Sequence, residues 1–283
     1  MDFTLIDGGL STALEQLGYA NQGLLWTARW VVERPEVITR AHRSFVEAGA
    51  EIVISASYQA SVAGFQSLGC SASRARQHLA ETTALARASG AARVAASLGP
   101  YGAILADGSE YHGRYQADWQ TIRRFHRERI EVLADSGPDL FAIETIPSRA
   151  EAEIILDELE GRPAWLAFSC RDSAHLCSGE PISEVVGVLA GASLIGVGIN
   201  CTAPEHVDGL LERLRPVTNL PLVVYPNRGG QWDPQRDCWV GAGAEATPRA
   251  AGWVEGGARF LGGCCGVGPD GIRALARLRT SAC

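Results

Sequence analysis

Ala258-Arg259-Phe260-Leu261-Gly262-Gly263-Cys264-Cys265-Gly266 sets two adjacent cysteines among glycines at the point where an apolar run stops. The run reads as a short buried strand. The glycines after it let the backbone take angles that bring both sulfurs close to one ion. Gly198-Ile199-Asn200-Cys201 repeats the arrangement, an apolar, glycine-containing run that ends at a cysteine. Three protein ligands leave the fourth position of a tetrahedral zinc open, the arrangement of catalysis rather than of structural support. Spacing alone leaves open whether the three sulfurs meet, and the alternative is a set of packed small residues, because free cysteine is often buried.

Outward from that stretch, short apolar or β-branched runs alternate with segments of helical period. The strands expected are Phe3–Ile6, Ile52–Ala56, Arg93–Ser97, Leu140–Glu144, Ala164–Ser169, Leu194–Ile199, Leu222–Tyr225 and Ala258–Leu261. Between them, Pro35–Ala48 puts Val37, Ile38, Ala41 and Phe45 on one face, opened by Pro35 and stopped by Gly49. Asp118–Ser136 does the same with Trp119, Ile122, Phe125, Ile130 and Leu133. Ser148 followed by Glu151 is the pattern of a capping box. Ser71–Ser89 reads as an alanine-rich helix, Pro204 and Pro269 open two more, and Ser183–Leu189 and Glu245–Glu255 complete the set. Eight strand-helix units in 283 residues fit a (β/α)₈ TIM barrel of the α/β class. The rival, a doubly wound open sheet, wants a G-x-G-x-x-G fingerprint after the first strand, and Asp7-Gly8-Gly9 does not supply it. No linker, low-complexity tract or charge run divides the chain, so residues 1–283 are expected to form one domain.

Composition narrows the chemistry. A net charge of -7 offers no basic face to nucleic acid, and the chain contains no lysine, which excludes Schiff-base and P-loop mechanisms. No apolar run approaches about 18 residues, so a soluble, cytoplasmic protein with no membrane partner is expected. In that compartment eight cysteines favour metal or redox work over disulfides.

A barrel places its chemistry where strands end. Those positions are Asp7, Ser57, Gly99, Glu144, Cys170, Cys201, Asn227 and the pair Cys264 and Cys265. Strands six and eight are separated by one strand, so their ends lie roughly 10 Å apart and only inward-leaning loops bring their cysteines together. Glu144 ends a buried strand, where a carboxylate needs a cationic partner, either a structural arginine or a substrate group. Asp7 is either turn chemistry or a second such carboxylate. The loops Gly99–Ala117 and Pro226–Gly243, the latter with Trp232 and Trp239, have the length of lids. Trp26, Tyr58, Tyr101 and Trp232 are suited to face a cationic ligand or simply to pack. His42, His78, His126 and His206 fall on helices and read as packed or solvated, while His112 and His175 lie in loops on the site face. Cys70, Cys170, Cys177, Cys238 and Cys283 lack the glycine frame or lie on helices or at the terminus and read as structural.

These blocks carry a resemblance. Asp7-Gly8-Gly9 with Thr12 and Leu14-Glu15, Ala56-Ser57-Tyr58-Gln59-Ala60 with Gly64-Phe65, Ser97-Leu98-Gly99-Pro100-Tyr101-Gly102, Leu105-Ala106-Asp107-Gly108-Ser109-Glu110-Tyr111, Glu144-Thr145, Arg171-Asp172-Ser173, Gly198-Ile199-Asn200-Cys201, Val224-Tyr225-Pro226-Asn227 and Gly262-Gly263-Cys264-Cys265 together resemble the homocysteine S-methyltransferase family. Within it they look most like the bacterial members that use S-methylmethionine as methyl donor. The resemblance covers nearly the whole chain and implies a (β/α)₈ barrel. It implies Cys201, Cys264 and Cys265 as ligands of Zn²⁺, Asp7 and Glu144 on the amino group of homocysteine, and Ser55 near the amino-acid carboxylate. Gly266 departs from the pattern, because many relatives would carry a basic or polar residue there.

The activity implied is zinc-dependent transfer of a methyl group from a sulfonium, S-methylmethionine or also S-adenosylmethionine, to the thiolate of L-homocysteine, giving methionine. Betaine- and selenocysteine-type relatives share the metal site and remain alternatives. So do a zinc hydrolase, with Glu144 as general base, and a barrel that stores zinc or thiols without turnover.

Overall fold

The computed structural model describes residues 1–20, 25–189, 192–233, 238–241 and 246–280. Parallel pairing runs through β1 (Thr4–Leu5), β2 (Ile52–Ile54), β3 (Arg93–Leu98), β4 (Leu140–Ile146), β5 (Ala164–Phe168), β6 (Leu194–Asn200), β7 (Leu222–Tyr225) and β8 (Ala258–Leu261). Hydrogen-bonded neighbours follow the order β1-β8-β7-β6-β5-β4-β3-β2. The ring closes through a bridge between Ile6 and Ile52, flanked by Asp7 N–H to Ile52 O at 3.0 Å and Glu51 N–H to Leu5 O at 2.8 Å. This is the expected (β/α)₈ barrel.

Two apolar layers hold it. Ile6, Ile52, Ala95, Leu140, Ala142, Trp165, Ala167, Val223 and Tyr225 fill the interior. Trp165 is the bulkiest fully buried side chain, and its indole N–H donates to Tyr225 Oη at 3.1 Å, which satisfies the one polar atom it carries inward. The strands' other faces meet the helices. On Pro35–Glu47 the buried positions are Val37, Ile38, Ala41 and Phe45, as the spacing predicts, with His42 on the same stripe. The Asp118 carboxylate accepts the Thr121 amide at 2.7 Å and starts Trp119–Asp135, and Ser71 caps Ala72–Arg87 through the Arg74 amide at 3.2 Å.

Differences from the sequence reading have physical causes. β1 and β2 are shorter than expected, and at the end of β2 the Ile54 amide goes to the Asp7 carboxylate rather than to a neighbouring strand. β4 and β6 run further, to Ile146 and Asn200. Trp119 stands half exposed at the first turn of its helix rather than in the core. Ser148 does cap its helix, accepting the Glu151 amide at 3.4 Å, but Glu151 does not reach back. Its carboxylate is buried and taken by tertiary partners. The segment Ser183–Leu189 is a 3₁₀ turn, Ile182–Val185, followed by one helical turn, Val186–Leu189. The next helix is Thr247–Glu255, and Glu245 lies outside the described residues. Within Pro226–Gly243 a two-stranded hairpin pairs Gln231–Asp233 with Cys238–Val240, Trp232 opposite Trp239. The side chains of Trp232, Trp239 and Cys238, and all of Cys283, lie outside the described residues.

Gly198 on β6 pairs with Val223 on β7, and a Cβ at 198 would fall on the Val223 carbonyl. Gly198→Ala should therefore spread β6 from β7 and lower stability by about 2 kcal/mol or more, measured as a shift of the urea midpoint; an unchanged midpoint would show that this close approach does not constrain the barrel.

Candidate functional site

Cys201, Cys264 and Cys265 converge, with all three sulfurs within 4.8 Å of one another. The Sγ atoms of Cys201 and Cys265 stand 3.6 Å apart. Tetrahedral zinc with sulfur at about 2.3 Å has ligand-ligand edges of about 3.8 Å, so the trio already has the size of one face of such a site. Among the described residues this is the one convergent group of three metal-capable side chains. The Cys264 and Cys265 thiols hydrogen-bond towards Cys201, which pulls its pKa well down while theirs rise. Protons alone let the trio hold one negative charge, and a dication is what would let all three ionise. The residues therefore fit a soft divalent metal.

The backbone explains how ends two strands apart come together. Cys201 adopts φ +45°, a left-handed turn that aims its sulfur off the strand direction. Its amide donates to Tyr225 O at 3.2 Å, and its carbonyl accepts from Asn227 Nδ2 at 3.2 Å. The segment after β7 also reaches the other side. Cys264 N–H donates to Pro226 O at 2.8 Å, and Arg228 N–H donates to Cys265 O at 2.9 Å. Pro226–Arg228 thus spans the gap the missing sheet spacing would otherwise leave. Gly9 lets the first loop press on the pair, since a Cβ there would lie 2.6 Å from Cys264 O. Asn200, fully buried, ties β6 to β4: its Oδ1 accepts the Thr145 amide at 2.7 Å and its Nδ2 donates to Thr145 Oγ1 at 2.8 Å.

Across the same end stand two buried carboxylates. The register shift between β4 and β5 falls at Glu144 and Thr145, and Thr145 has φ +60°. Glu144 Oε1 accepts from Ser97 Oγ at 2.5 Å, and Tyr225 also hydrogen-bonds to it. Burial nevertheless pushes its pKa up to about 7. Asp7 Oδ2 accepts the Ile54 amide at 2.9 Å, while Oδ1 has no hydrogen-bond partner. Burial first, and the Glu144 charge after it, raise Asp7 well above the usual carboxylate range. His42 lies 4.0 Å from Asp7 but supplies no charge, because burial pulls its pKa down to about 4. It is a buried neighbour of the site, where the sequence reading had only helix packing. Neither carboxylate pairs with arginine among the described residues. Ser55 sits between them in the wall: its Oγ accepts the Ser97 amide at 3.3 Å and lies 2.8 Å from Ser57 Oγ. Ser57 donates to Ser97 O at 2.8 Å, so the Ser55 hydrogen goes to Ser57.

The loop Gly99–Ala117 forms a roof. Tyr111 Oη is 3.8 Å from Cys201 Sγ. The roof is fixed from behind by Glu151, whose Oε1 accepts from Tyr101 N at 2.5 Å and lies 2.9 Å from His126 Nε2, and whose Oε2 accepts from Tyr115 Oη at 2.6 Å. Arg129, fully buried, donates to Gly99 O, Ser57 O and Tyr58 O at 2.8–3.0 Å, pinning the ends of β2 and β3. Tyr101 stacks edge-on against Tyr115 and Phe125, so it packs the roof from behind. His112 accepts the Arg114 amide, and His175 pairs with Asp172; neither joins the sulfurs. Cys170 and Cys177 are excluded from the trio, with burial raising Cys170 well above its usual range and Cys177 to about 11. Gly266 has φ +78° and its Cα faces the Arg228 stem, so a side chain there would need both a strained backbone and a displaced arginine.

A sequence model described as homocysteine S-methyltransferase matches residues 4–279. The chain belongs to the homocysteine S-methyltransferase family. It is 40% identical to the homocysteine S-methyltransferase of Escherichia coli K12, over 97% of this chain and 94% of that one. It is 38% identical to a selenocysteine Se-methyltransferase of Brassica oleracea, over 96% and 88%. The crystal structure of the E. coli homocysteine methyltransferase MmuM in its metallated form superposes with a TM-score of 0.87 at 40% identity, covering 98% of this chain and 96% of that one. That relative has been solved with metal, and the cysteine trio here could hold a metal ion.

For a homocysteine S-methyltransferase, several residues of this site had no signal in the sequence reading: Tyr111, Glu110, Asn200 and Thr145 lay inside quoted blocks without roles, and Arg129 and Glu151 lay on helices. Their roles depend on contacts between residues up to 90 apart in the chain.

Glu144 sets a stability prediction. Its folded pKa of about 7 lies above the ordinary 4.5, so the folded chain holds a proton that the unfolded chain has lost. Stability should then fall as pH rises from about 4.5 through 7. In metal-free, ligand-free protein, Glu144→Gln should be more stable than the wild type at pH 8, by up to the order of 3 kcal/mol, and equal to it below pH 4.5. Urea unfolding at the two pH values checks this; a variant less stable at pH 8 would contradict it.

Proposed function

We propose that this chain transfers a methyl group from a sulfonium donor, S-methylmethionine and also S-adenosylmethionine, to the thiolate of L-homocysteine, forming methionine. The observation that carries the reading is the meeting of the three sulfurs with two buried carboxylates that lack cationic partners, at one end of a barrel of this family. Cys201, Cys264 and Cys265 would hold Zn²⁺. The metal would supply a charge that keeps a fourth, substrate sulfur deprotonated near neutral pH, where a free thiol is mostly protonated.

Asp7 and Glu144 receive the homocysteine ammonium. Each carboxylate is destabilised by burial, so a cation that arrives with three N–H donors relieves both, and the free Oδ1 of Asp7 offers an acceptor. Ser55 lies in the wall beside them, near the amino-acid carboxylate. Tyr111 and the roof held by Glu151 exclude water. This favours a step in which thiolate and sulfonium neutralise each other. The homocysteine sulfur forms the new S–CH₃ bond in line as the donor's S–CH₃ bond breaks. The electron pair stays on the departing sulfur, and the thiol proton has already left to solvent. The barrel contributes alignment more than acid-base chemistry.

Reduced, zinc-loaded protein should form methionine from homocysteine with either donor. Cys265→Ser should lose metal and at least about a hundredfold in kcat/KM. Product chromatography and metal analysis decide it: zinc-loaded protein that makes no methionine from either donor would overturn the reading. A pH series gives a second check. Glu144 must be ionised to hold the ammonium, so the KM for homocysteine should rise as pH falls through about 7. In Glu144→Gln that KM should be raised at every pH, with the Glu144-dependent inflection gone.

A further inference from the structure

Glu110 is a carboxylate at this site that homocysteine binding does not use. It lies in the 3₁₀ turn Ser109–Tyr111, which the structure holds firmly. Asp107 Oδ1 accepts the Ser109 amide at 2.9 Å, and Gly113 N–H donates to Ser109 O at 2.8 Å. Gly102 lies against the Glu110 amide so closely that a Cβ there would collide with it. The next residue, Tyr111, brings its hydroxyl to 3.8 Å from Cys201 Sγ, so the turn stands beside the sulfur trio.

Glu110 Oε2 is shut off from water and has no hydrogen-bond partner, and no arginine pairs with this carboxylate among the described residues. Burial, with the Cys201 charge adding to it, pushes its pKa up to about 7, and its own charge acts on Tyr58 and Tyr111. A carboxylate so placed is costly until a cation reaches it. Asp7 and Glu144 already account for the acceptor's ammonium. The donor brings two further cations, its own ammonium and its sulfonium, and the sulfonium is the one that has to reach the sulfur trio, beside which this turn stands.

Resting on the sulfonium reading given above, we propose that Glu110 is a donor-binding residue whose carboxylate pairs with the positive sulfur of the methyl donor. The pairing is strongest before transfer and fades as the charge leaves that sulfur. It therefore governs donor binding more than turnover.

The test is Glu110→Gln in the zinc-loaded enzyme, with donor and homocysteine varied in turn, beside Glu110→Asp. The expected result is a donor KM raised tenfold or more for both S-methylmethionine and S-adenosylmethionine, with kcat within about threefold. The KM for homocysteine, the zinc content and the inhibition constant of methionine, which has the same skeleton but a neutral sulfur, should not change. Glu110→Asp should recover part of the donor affinity. Removing an unpartnered buried carboxylate should not unfold the chain, so the Tm without ligand is expected to hold or rise. S-methylmethionine should raise the Tm less in Glu110→Gln than in wild type. An unchanged donor KM in an active variant would overturn this assignment alone. So would a fall in Tm and zinc content together with both substrate affinities, since that is the behaviour of a structural residue. Wild-type enzyme that forms no methionine from any sulfonium would instead overturn the proposed function, and the assignment with it.

Discussion

The left-handed turn at Cys201 is the constraint on which the rest of the site depends. A strand that continued straight past Asn200 would leave its cysteine on the wrong side of a gap of two strand spacings. A non-glycine residue at φ +45° is unfavourable by on the order of 1 kcal/mol or more. It persists because hydrogen bonds fix it on both sides. Asn227 holds the Cys201 carbonyl, the Tyr225 carbonyl takes its amide, and Asn200 just before it is locked to Thr145 through two bonds. Thr145 is itself left-handed, so two strained residues on β4 and β6 brace each other through one buried amide side chain. The same few atoms thereby position a thiol on β6 and a carboxylate, Glu144, on β4.

Burial runs against the charged forms of the site's carboxylates throughout. Asp7, Glu144 and Glu110 are all raised by burial, Asp7 further by the Glu144 charge and the two glutamates further by the Cys201 charge. The barrel tolerates this because the interior below is apolar and well filled by Trp165, Tyr225 and their neighbours, and because the buried Arg129 directs its Nη1 and Nη2 donors to backbone carbonyls. A site built this way would be stabilised by cations that bind it, since they would relieve charges that the protein itself leaves uncompensated. Stability given up at such a place is recovered as ligand affinity.

The roof shows how far from the chemistry such a site must be supported. Tyr111 reaches Cys201 from a loop whose ends are tied by Glu151 on the helix after β4 and by Arg129 on the helix after β3. The capping-box pattern of Ser148 and Glu151 half forms for that reason. The Glu151 carboxylate is instead taken by Tyr101, Tyr115 and His126, three partners in place of the one backbone amide a capping box offers.

By itself the sequence determined the alternation of strands and helices, and hence the barrel, because the periods of two and 3.6 and the proline, serine and aspartate starts are local properties of the chain. It also marked the strand ends, so Asp7, Glu144, Cys201, Cys264 and Cys265 were legible as candidates from the places where apolar runs stop. Tertiary structure alone decided that three sulfurs separated by 64 residues stand on one face, since that rests on a left-handed cysteine and on Pro226–Arg228 bridging β6 and β8. It decided which helical polar residues act at the site: His42, Arg129 and Glu151 look like ordinary helix positions until burial removes their water and leaves only distant partners. Periodicity reports which face of an element is buried, and a buried polar side chain on that face acquires its role from whatever the fold brings opposite.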